Sequence, residues 1–267
     1  MTYKGMVEIT NDEYHSSIGY SKSALITYRD SPNKFYKEYI LKQKELKESD
    51  DFLLGQLVHM LLLEFDKVEE TYHLYAHINR STKDGKAQAK ELEEIEKSGK
   101  ILVKTEIMQK ALELVEAVRK NSIACSIIDG SEVEKSIYWQ DESGITFKSR
   151  PDIIKDTIVA DLKTCKDVSE KGFQRSCIDY GYYLQAAMAK LALESIQRQF
   201  VRFVFICVDK ITHDVVVYVL DEQAIEYGLN QFKFLSGKLE QDLAENDWLK
   251  PRIKTLSVPR WAEWEQI

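Results

Sequence analysis

The segment 150–164, RPDIIKDTIVADLKT, constrains both the fold and the chemistry of this chain. Its apolar part, TIVADLK, predicts a β-strand, in which residues i and i+2 project from the same face. Asp161 and Lys163 therefore face one space, and Leu162 faces the core. If this strand pairs with the chain before it, Asp152, which follows a proline, reaches the same space. Two carboxylates and one ammonium group would then converge.

This combination of side chains suits hydrolysis of a phosphate ester. Hard divalent cations such as Mg²⁺ favour carboxylate oxygens and often bind through one or two carboxylates plus a substrate phosphate. A cation held in this way can activate water and neutralise charge on the phosphate, and a neighbouring lysine can orient or deprotonate that water. An alternative interpretation of Asp161 and Lys163 is that they form a surface ion pair, because an isolated D-x-K sequence is common.

The order of predicted elements favours an α/β fold, a mixed β-sheet flanked by helices with a helical N-terminal part. With only 4 prolines and 11 glycines, the chain has no obvious flexible linker. We predict a single domain, 1–267, made of a mainly helical part (1–125), a catalytic core (126–245) and a tail (246–267). Periodicity predicts helices at 52–65, 104–120, 181–197 and 222–243, and strands at 132–140, 145–150, 157–163, 200–208 and 214–220.

Composition excludes several classes of protein. No apolar run approaches the roughly 20 residues that cross a bilayer, and the N-terminus resembles no secretory signal. The four cysteines lack metal-ligand or disulfide spacing, which predicts reduced thiols in a cytoplasmic protein. The net charge of −7 argues against a loose electrostatic DNA coat, although a basic groove within an acidic surface is compatible with it.

The extended pattern, a proline-linked Asp152 followed by a hydrophobic run and then Asp161-Leu162-Lys163, resembles the PD-(D/E)XK nuclease signature. In GQLVHMLLLE, Gly55 and His59 share one helix face and match the G-x-x-x-H helix of the RecB-like branch, whose histidine binds metal. The alternative for His59 is a core histidine with one backbone partner.

Two further positions match this branch in part. Glu132 matches an acidic residue at the start of the first hairpin strand, with a solvated edge residue as the alternative. Tyr182 and Gln185 lie in the helix after the motif strand, where the branch has Q-x-x-x-Y. Ala189 replaces the tyrosine of that motif.

The order of these segments between about residues 14 and 190 is similar to that of RecE-type exonucleases (exodeoxyribonuclease VIII and its phage or prophage relatives). The resemblance implies degradation of linear duplex DNA from the 5′ end, leaving 3′ overhangs for a single-strand annealing protein. It also implies a ring-shaped trimer or tetramer in a bacterial host cell. By resemblance, His59, Asp152, Asp161 and the Leu162 carbonyl would hold Mg²⁺ or Mn²⁺. Lys163 would position water, and Glu132 and Gln185 would support the site.

Several residues are candidates for DNA contact in addition to Tyr182. The basic loop 79–86 carries Arg80, Lys83 and Lys86, which would meet backbone phosphates unless the loop is merely solvated. Near a predicted helix start, Ser21, Ser23 and Arg29 would meet a phosphate, with helix capping as the alternative for Ser21. Tryptophans in the tail could contact another subunit or fold back on their own chain: Trp248, Trp261 and Trp264.

Two alternative functions stay open. One is a structure-specific endonuclease or another nuclease with the same fold. The other is a non-catalytic DNA-binding scaffold, against which the presence of Asp152, Asp161 and Lys163 argues, because a decayed site tends to lose at least one such residue.

Overall fold

The computed structural model describes residues 3–43, 49–76, 78–79 and 81–248, together with 255 and 257. The strands are β1 Gly5–Val7, β2 Tyr72–Tyr75, β3 Ile101–Lys104, β4 Glu132–Val133, β5 Ser136–Gln140, β6 Thr146–Ser149, β7 Ile153–Lys155, β8 Ile158–Cys165, β9 Arg202–Asp209 and β10 Val215–Val219. The helices are α1 Asn11–Ser16, α2 Lys22–Asp30, α3 Pro32–Phe35, α4 Asp50–Leu63, α5 Val68–Thr71, α6 Lys83–Lys97, α7 Thr105–Lys120, α8 Ser122–Ile128, α9 Glu170–Asp179, α10 Tyr182–Ser195 and α11 Glu222–Glu245.

The central sheet has five strands in the order β10-β9-β8-β7-β4. Strands β8 and β9 are parallel, and the other neighbours are antiparallel. A smaller antiparallel sheet, β1-β5-β6, lies beside it, and β2 and β3 form a parallel pair. This is the mixed α/β architecture that the sequence predicts, and the predicted pairing of the motif strand with the preceding chain is the β7–β8 hairpin.

The central sheet is covered on both faces, because its strands alternate side chains between two apolar clusters. Val159 and Phe205 pack into one cluster with α2, α10, α11 and the smaller sheet. Ala160 and Leu162 pack into the other with α4, α7 and α8. Asp161 therefore projects toward the first cluster, and the helix with His59 lies on the opposite face.

Three sequence predictions need correction. The predicted strand 132–140 is two strands in two sheets, because the backbone at Glu134 adopts a left-handed conformation (φ 51°) that ends β4. The predicted loop 79–86 becomes helix at Lys83, where the Thr82 hydroxyl caps α6 by accepting from Gly85 N. The helix predicted at 52–65 runs from Asp50 to Leu63 instead, and Phe65 lies in the short 3₁₀ turn that follows it.

The predicted helix start near Ser21 is confirmed, and a further helix starts at Pro32, whose N-cap is Ser31. Trp248 folds back onto its own chain and stacks on Tyr36, with ring centroids 5.4 Å apart. Trp261 and Trp264 lie outside the described residues. Within the described ranges, no helix combines the length and the apolar character needed to cross a membrane.

Candidate active site

Three side chains from three elements converge beside the edge of the β7–β8 hairpin. His59 comes from α4, Glu134 follows β4, and Asp152 precedes β7; one potential ligand atom from each lies within 4.8 Å of the others. We call these residues the acidic cluster. The sequence separates them by almost 100 residues, and they meet because β4 pairs with β7 and α4 packs against β8.

Asp161 and Lys163 lie next to this cluster on one face of β8, as their spacing predicts. They form an ion pair, and both are held by Gln185 of α10. Gln185 Nε2 donates to Asp161 Oδ1, and Lys163 Nζ donates to Gln185 Oε1 over 3.4 Å. Gln185 thus fixes the carboxylate and the ammonium relative to each other. One turn later, Ala189 is buried in the core, so the position of the motif tyrosine contributes only to packing here.

His59 is hydrogen-bonded to the backbone of β8. Its Nε2 donates to the Leu162 carbonyl oxygen over 2.8 Å, and its Nδ1 lies 3.4 Å from Asp152 Oδ2. Leu162 N donates to the same Asp152 oxygen over 2.8 Å. The close approach of α4 depends on Gly55, because a Cβ atom there would lie 3.3 Å from Thr164 Oγ1. The G-x-x-x-H spacing therefore corresponds to a packing contact at Gly55 and a side chain, His59, that reaches the Leu162 carbonyl of β8.

Burial and mutual repulsion disfavour negative charge in the acidic cluster. Burial, reinforced by the Asp161 carboxylate, raises the pKa of Asp152 to about 6. Burial, followed by repulsion from Asp152 and Glu64, raises the pKa of Glu134 to about 9. Burial alone would lower the pKa of Lys163, but Asp161 beside it raises it, so this ammonium stays charged. The excess of buried carboxyl groups over cations is the electrostatic condition that a bound metal ion relieves.

The residues present fit a divalent cation. Asp161 Oδ2 is buried and accepts no geometrically acceptable hydrogen bond from the described residues, although Lys163 Nζ is close to it. Carboxylate and carbonyl oxygens suit Mg²⁺ and Mn²⁺, and one imidazole nitrogen is compatible with Mn²⁺. An ion held by His59 Nε2 and the Leu162 carbonyl oxygen would replace the hydrogen bond that joins these two atoms over 2.8 Å.

The structure brings Glu134, and not Glu132, into the cluster. Glu132 is 43% exposed and pairs with Arg198 over 2.7 Å. The left-handed backbone at Glu134, held by its N–H donating to the Asp152 carbonyl over 3.1 Å, lets the chain turn so that this side chain enters the site. Sequence analysis missed Glu134, since no spacing rule signals an isolated positive φ at a glutamate.

Lys22 is a second residue that sequence analysis missed. Its ammonium donates to the Tyr180 carbonyl over 3.4 Å and lies 5.5 Å from the centre of the Tyr182 ring. Burial and the nearby Lys163 ammonium lower the pKa of Lys22 to about 8. Within the described ranges it forms no ion pair with a carboxylate. A lysine inside a serine-flanked helix start, SKS, was the available signal.

Of the residues predicted to contact DNA, some lie in or beside the site and others lie away from it. Tyr182 lies in the site, with Lys163 Nζ 4.5 Å from its ring centre, and Arg29 donates to the Ile178 and Asp179 carbonyls.

Ser21 is the N-cap of α2, accepting from Ala24 N, and Ser23 is exposed on the same helix. Lys83 and Lys86 are exposed on α6 and, as far as the structure describes the chain, make no contact with the acidic cluster. Arg80 lies outside the described residues.

Comparison with protein families gives one match, and it covers most of the chain. The profile of a family described as a PDDEXK-like domain of unknown function (DUF3799) matches residues 21–248. This range includes every residue of the acidic cluster and its neighbours on β8 and α10. No curated protein matches the sequence.

Solved structures give a match in fold. A protein from Eubacterium rectale, provisionally named an exonuclease, superposes with a TM-score of 0.65 at 13% sequence identity. The match covers 95% of this chain and 97% of that chain, and at this identity it shows a shared fold alone. The structure of SSO0001 aligns over 84% of this chain and 88% of its own at 15% identity, but its TM-score of 0.30 supports no argument.

Proposed function

We propose that this chain, which belongs to the PDDEXK-like family DUF3799, is a divalent-metal-dependent exonuclease that degrades linear double-stranded DNA. The observation that carries the proposal is the convergence of His59, Glu134 and Asp152 beside the Asp161–Lys163 pair. A fold shared with a protein provisionally named an exonuclease supports it. Mg²⁺ or Mn²⁺ is the proposed ion.

His59, Asp152, Asp161 and the Leu162 carbonyl would hold the ion, with Glu134 completing the set. When bound, it supplies Lewis acidity toward the phosphate and lowers the pKa of a bound water. Lys163, which stays charged beside Asp161, acts as a hydrogen-bond donor that orients water and stabilises negative charge developing on the phosphate. Gln185 keeps Lys163 and Asp161 in register. Lys22 adds a second, partly buried cation, which favours an anionic substrate.

The finer features of the proposal rest on the resemblance of the sequence to RecE-type exonucleases. These are 5′→3′ polarity, 3′ overhangs that serve recombination, a partner annealing protein, and a ring of three or four copies. Topological enclosure by such a ring would give processivity without a uniformly basic surface, which suits the net charge of −7.

The test is digestion of linear duplex DNA labelled at either the 5′ or the 3′ end, with Mg²⁺, Mn²⁺ or EDTA. Asp161→Asn removes a carboxylate proposed to hold the ion. Lys238→Ala, at an exposed position on α11, is the control. We expect metal-dependent early release of the 5′ label by the wild type and the control, and none by Asp161→Asn.

The alternatives predict other results in the same assay. Internal cutting of closed circular DNA would indicate an endonuclease of the same fold and would leave the site assignment standing. Absence of digestion by a folded wild type that binds DNA would indicate the non-catalytic scaffold.

A further inference from the structure

The turn between α9 and α10 presents an aromatic side chain to solvent beside the active site. Tyr180 is 59% exposed, and its ring centroid lies 5.8 Å from that of Tyr182. Tyr182 in turn has the Lys163 ammonium 4.5 Å from its ring centre. A single ring therefore separates an exposed aromatic side chain from the proposed catalytic lysine.

This turn is held rigidly. Gly181 has a left-handed backbone (φ 67°) that other residues adopt with strain, and a Cβ atom there would lie 2.3 Å from Ile26 Cδ1 of α2 and displace it. Two cations of α2 bind carbonyl groups of the turn: Arg29 donates to Asp179 over 3.2 Å, and Lys22 donates to Tyr180 over 3.4 Å. The backbone of Tyr180 is thus held in place while its ring is exposed. A rigid aromatic ring loses little entropy when it binds a ligand.

The surroundings of the ring select the class of ligand. Lys22 and Lys163 both lie against the inner ring, Tyr182, at 5.5 Å and 4.5 Å from its centre. A strand whose phosphate is bound by these ammonium groups carries its bases within reach of an adjacent aromatic surface. Proteins that hold single strands without sequence preference combine cations with aromatic rings in this way.

We propose that Tyr180 stacks on a nucleobase of the DNA strand being cut, next to the scissile phosphate, and that Tyr182 buttresses it. The inference rests on the proposed nuclease function and adds a substrate preference to it. A base can stack on Tyr180 only when it is unpaired, so the site would act on a frayed or single-stranded end. The grip would be independent of sequence, because every base has a π-face.

The direct test is fluorescence of DNA carrying 2-aminopurine at the terminal nucleotide of one strand, titrated with protein in EDTA so that no turnover is needed. We compare the wild type with Tyr180→Ala, Tyr180→Phe and the control Phe234→Ala, an exposed aromatic on α11. We expect quenching on binding for the wild type, Tyr180→Phe and Phe234→Ala. Tyr180→Ala should lose the quenching and weaken binding about 5- to 150-fold.

Cleavage kinetics separate failure of this inference from failure of the proposed function. Metal-dependent cleavage by the wild type tests the function alone. Given cleavage, Tyr180→Ala should raise KM and leave kcat within a few-fold, with an unchanged circular dichroism spectrum. If Tyr180→Ala kept the quenching and the KM of the wild type, the stacking role would be overturned. Losses in Tyr180→Phe as large as those in Tyr180→Ala would also overturn it. An altered oligomeric state in Tyr180→Ala, with unchanged DNA affinity, would assign the ring to a subunit contact instead.

Discussion

At the residue scale, the most informative difference is between two glutamates two positions apart. Glu132 and Glu134 flank Val133, yet one pairs with Arg198 at the surface and the other joins His59 and Asp152. In a regular strand they would share a face. The left-handed backbone at Glu134 breaks that alternation, so the two residues provide a matched pair for experiment.

We expect Glu134→Gln to lower metal affinity or kcat by about 10- to 100-fold, as for other groups that support metal ligands. Glu132→Gln should stay within about twofold of the wild type, because an exposed ion pair contributes little. Isothermal titration with Mn²⁺ and the end-labelled DNA assay measure the two quantities. A larger loss in Glu132→Gln than in Glu134→Gln would restore the assignment made from the sequence.

The raised pKa values of Asp152, about 6, and Glu134, about 9, determine how stability responds to pH. In the unfolded chain these carboxyl groups ionise near pH 4. The contribution of these two groups to folding stability is therefore fully present below that pH and is lost as the pH rises toward their folded pKa values. A bound cation favours the ionised forms and reverses the loss.

Saturating Mn²⁺ should consequently raise the melting temperature more at pH 8 than at pH 5.5, relative to EDTA. Differential scanning fluorimetry at the two pH values measures this, and Asp152→Asn should remove most of the metal-dependent shift. Equal shifts at both pH values, or a larger one at pH 5.5, would mean that these carboxyl groups are not the ligands.

At the element scale, the position of α4 against β8 determines whether His59 reaches the site. Gly55 lies one helical turn before His59, where a Cβ atom would lie 3.3 Å from Thr164 Oγ1. A Cβ atom at this position would push α4 away from β8, because a protein interior has little free space to accommodate it. The histidine and the glycine are therefore linked: Gly55 sets the distance between α4 and β8 at which His59, the proposed ligand, reaches the site.

Gly55→Ala should reduce metal affinity about tenfold, since small displacements of active-site groups are costly. Its effect on stability should be small, because the gain in helix propensity offsets the contact. Thr164→Ala in the same chain removes the opposing hydroxyl and should restore affinity. Gly237→Ala, whose added Cβ would meet no other part of the described chain within 4 Å, is the control and should stabilise the protein by about 0.5–1 kcal/mol. Failure of the double variant to recover would exclude steric displacement of α4.

At the scale of the whole molecule, both apolar clusters share the five-stranded sheet as their common wall. Residues of β8 and β9 alternate between them, with Phe203 and Phe205 on one side and Val204 and Ile206 on the other. Loss of packing in either cluster therefore removes support from the same strands. This arrangement favours cooperative unfolding of the single domain predicted over residues 1–267.

We expect Leu193→Ala, in the first cluster, and Leu114→Ala, in the second, each to destabilise the protein by about 2–5 kcal/mol. Both should shift one shared urea transition, followed by circular dichroism and by tryptophan fluorescence. Two separate transitions, each sensitive to only one variant, would instead indicate two domains.

The sequence by itself determined what local periodicity encodes. The spacing of Asp161 and Lys163 placed them on one face of a strand, and Gly55 and His59 shared a helix face because helical neighbours lie four residues apart. The helices α7 and α11 and the mixed sheet followed from apolar repeats. The cap at Ser21 followed from a side chain that can satisfy a nearby backbone N–H.

Only the tertiary structure decided which of these local elements meet. The choice of Glu134 over Glu132, the approach of Lys22 to Lys163, and the division of 132–140 between two sheets depend on contacts between residues far apart in the chain. Such contacts are set by packing and by buried charge, which act through space and leave no period in the sequence. Local spacing in the sequence therefore predicted the kind of chemistry at the site, but the fold determined which residues make up the site.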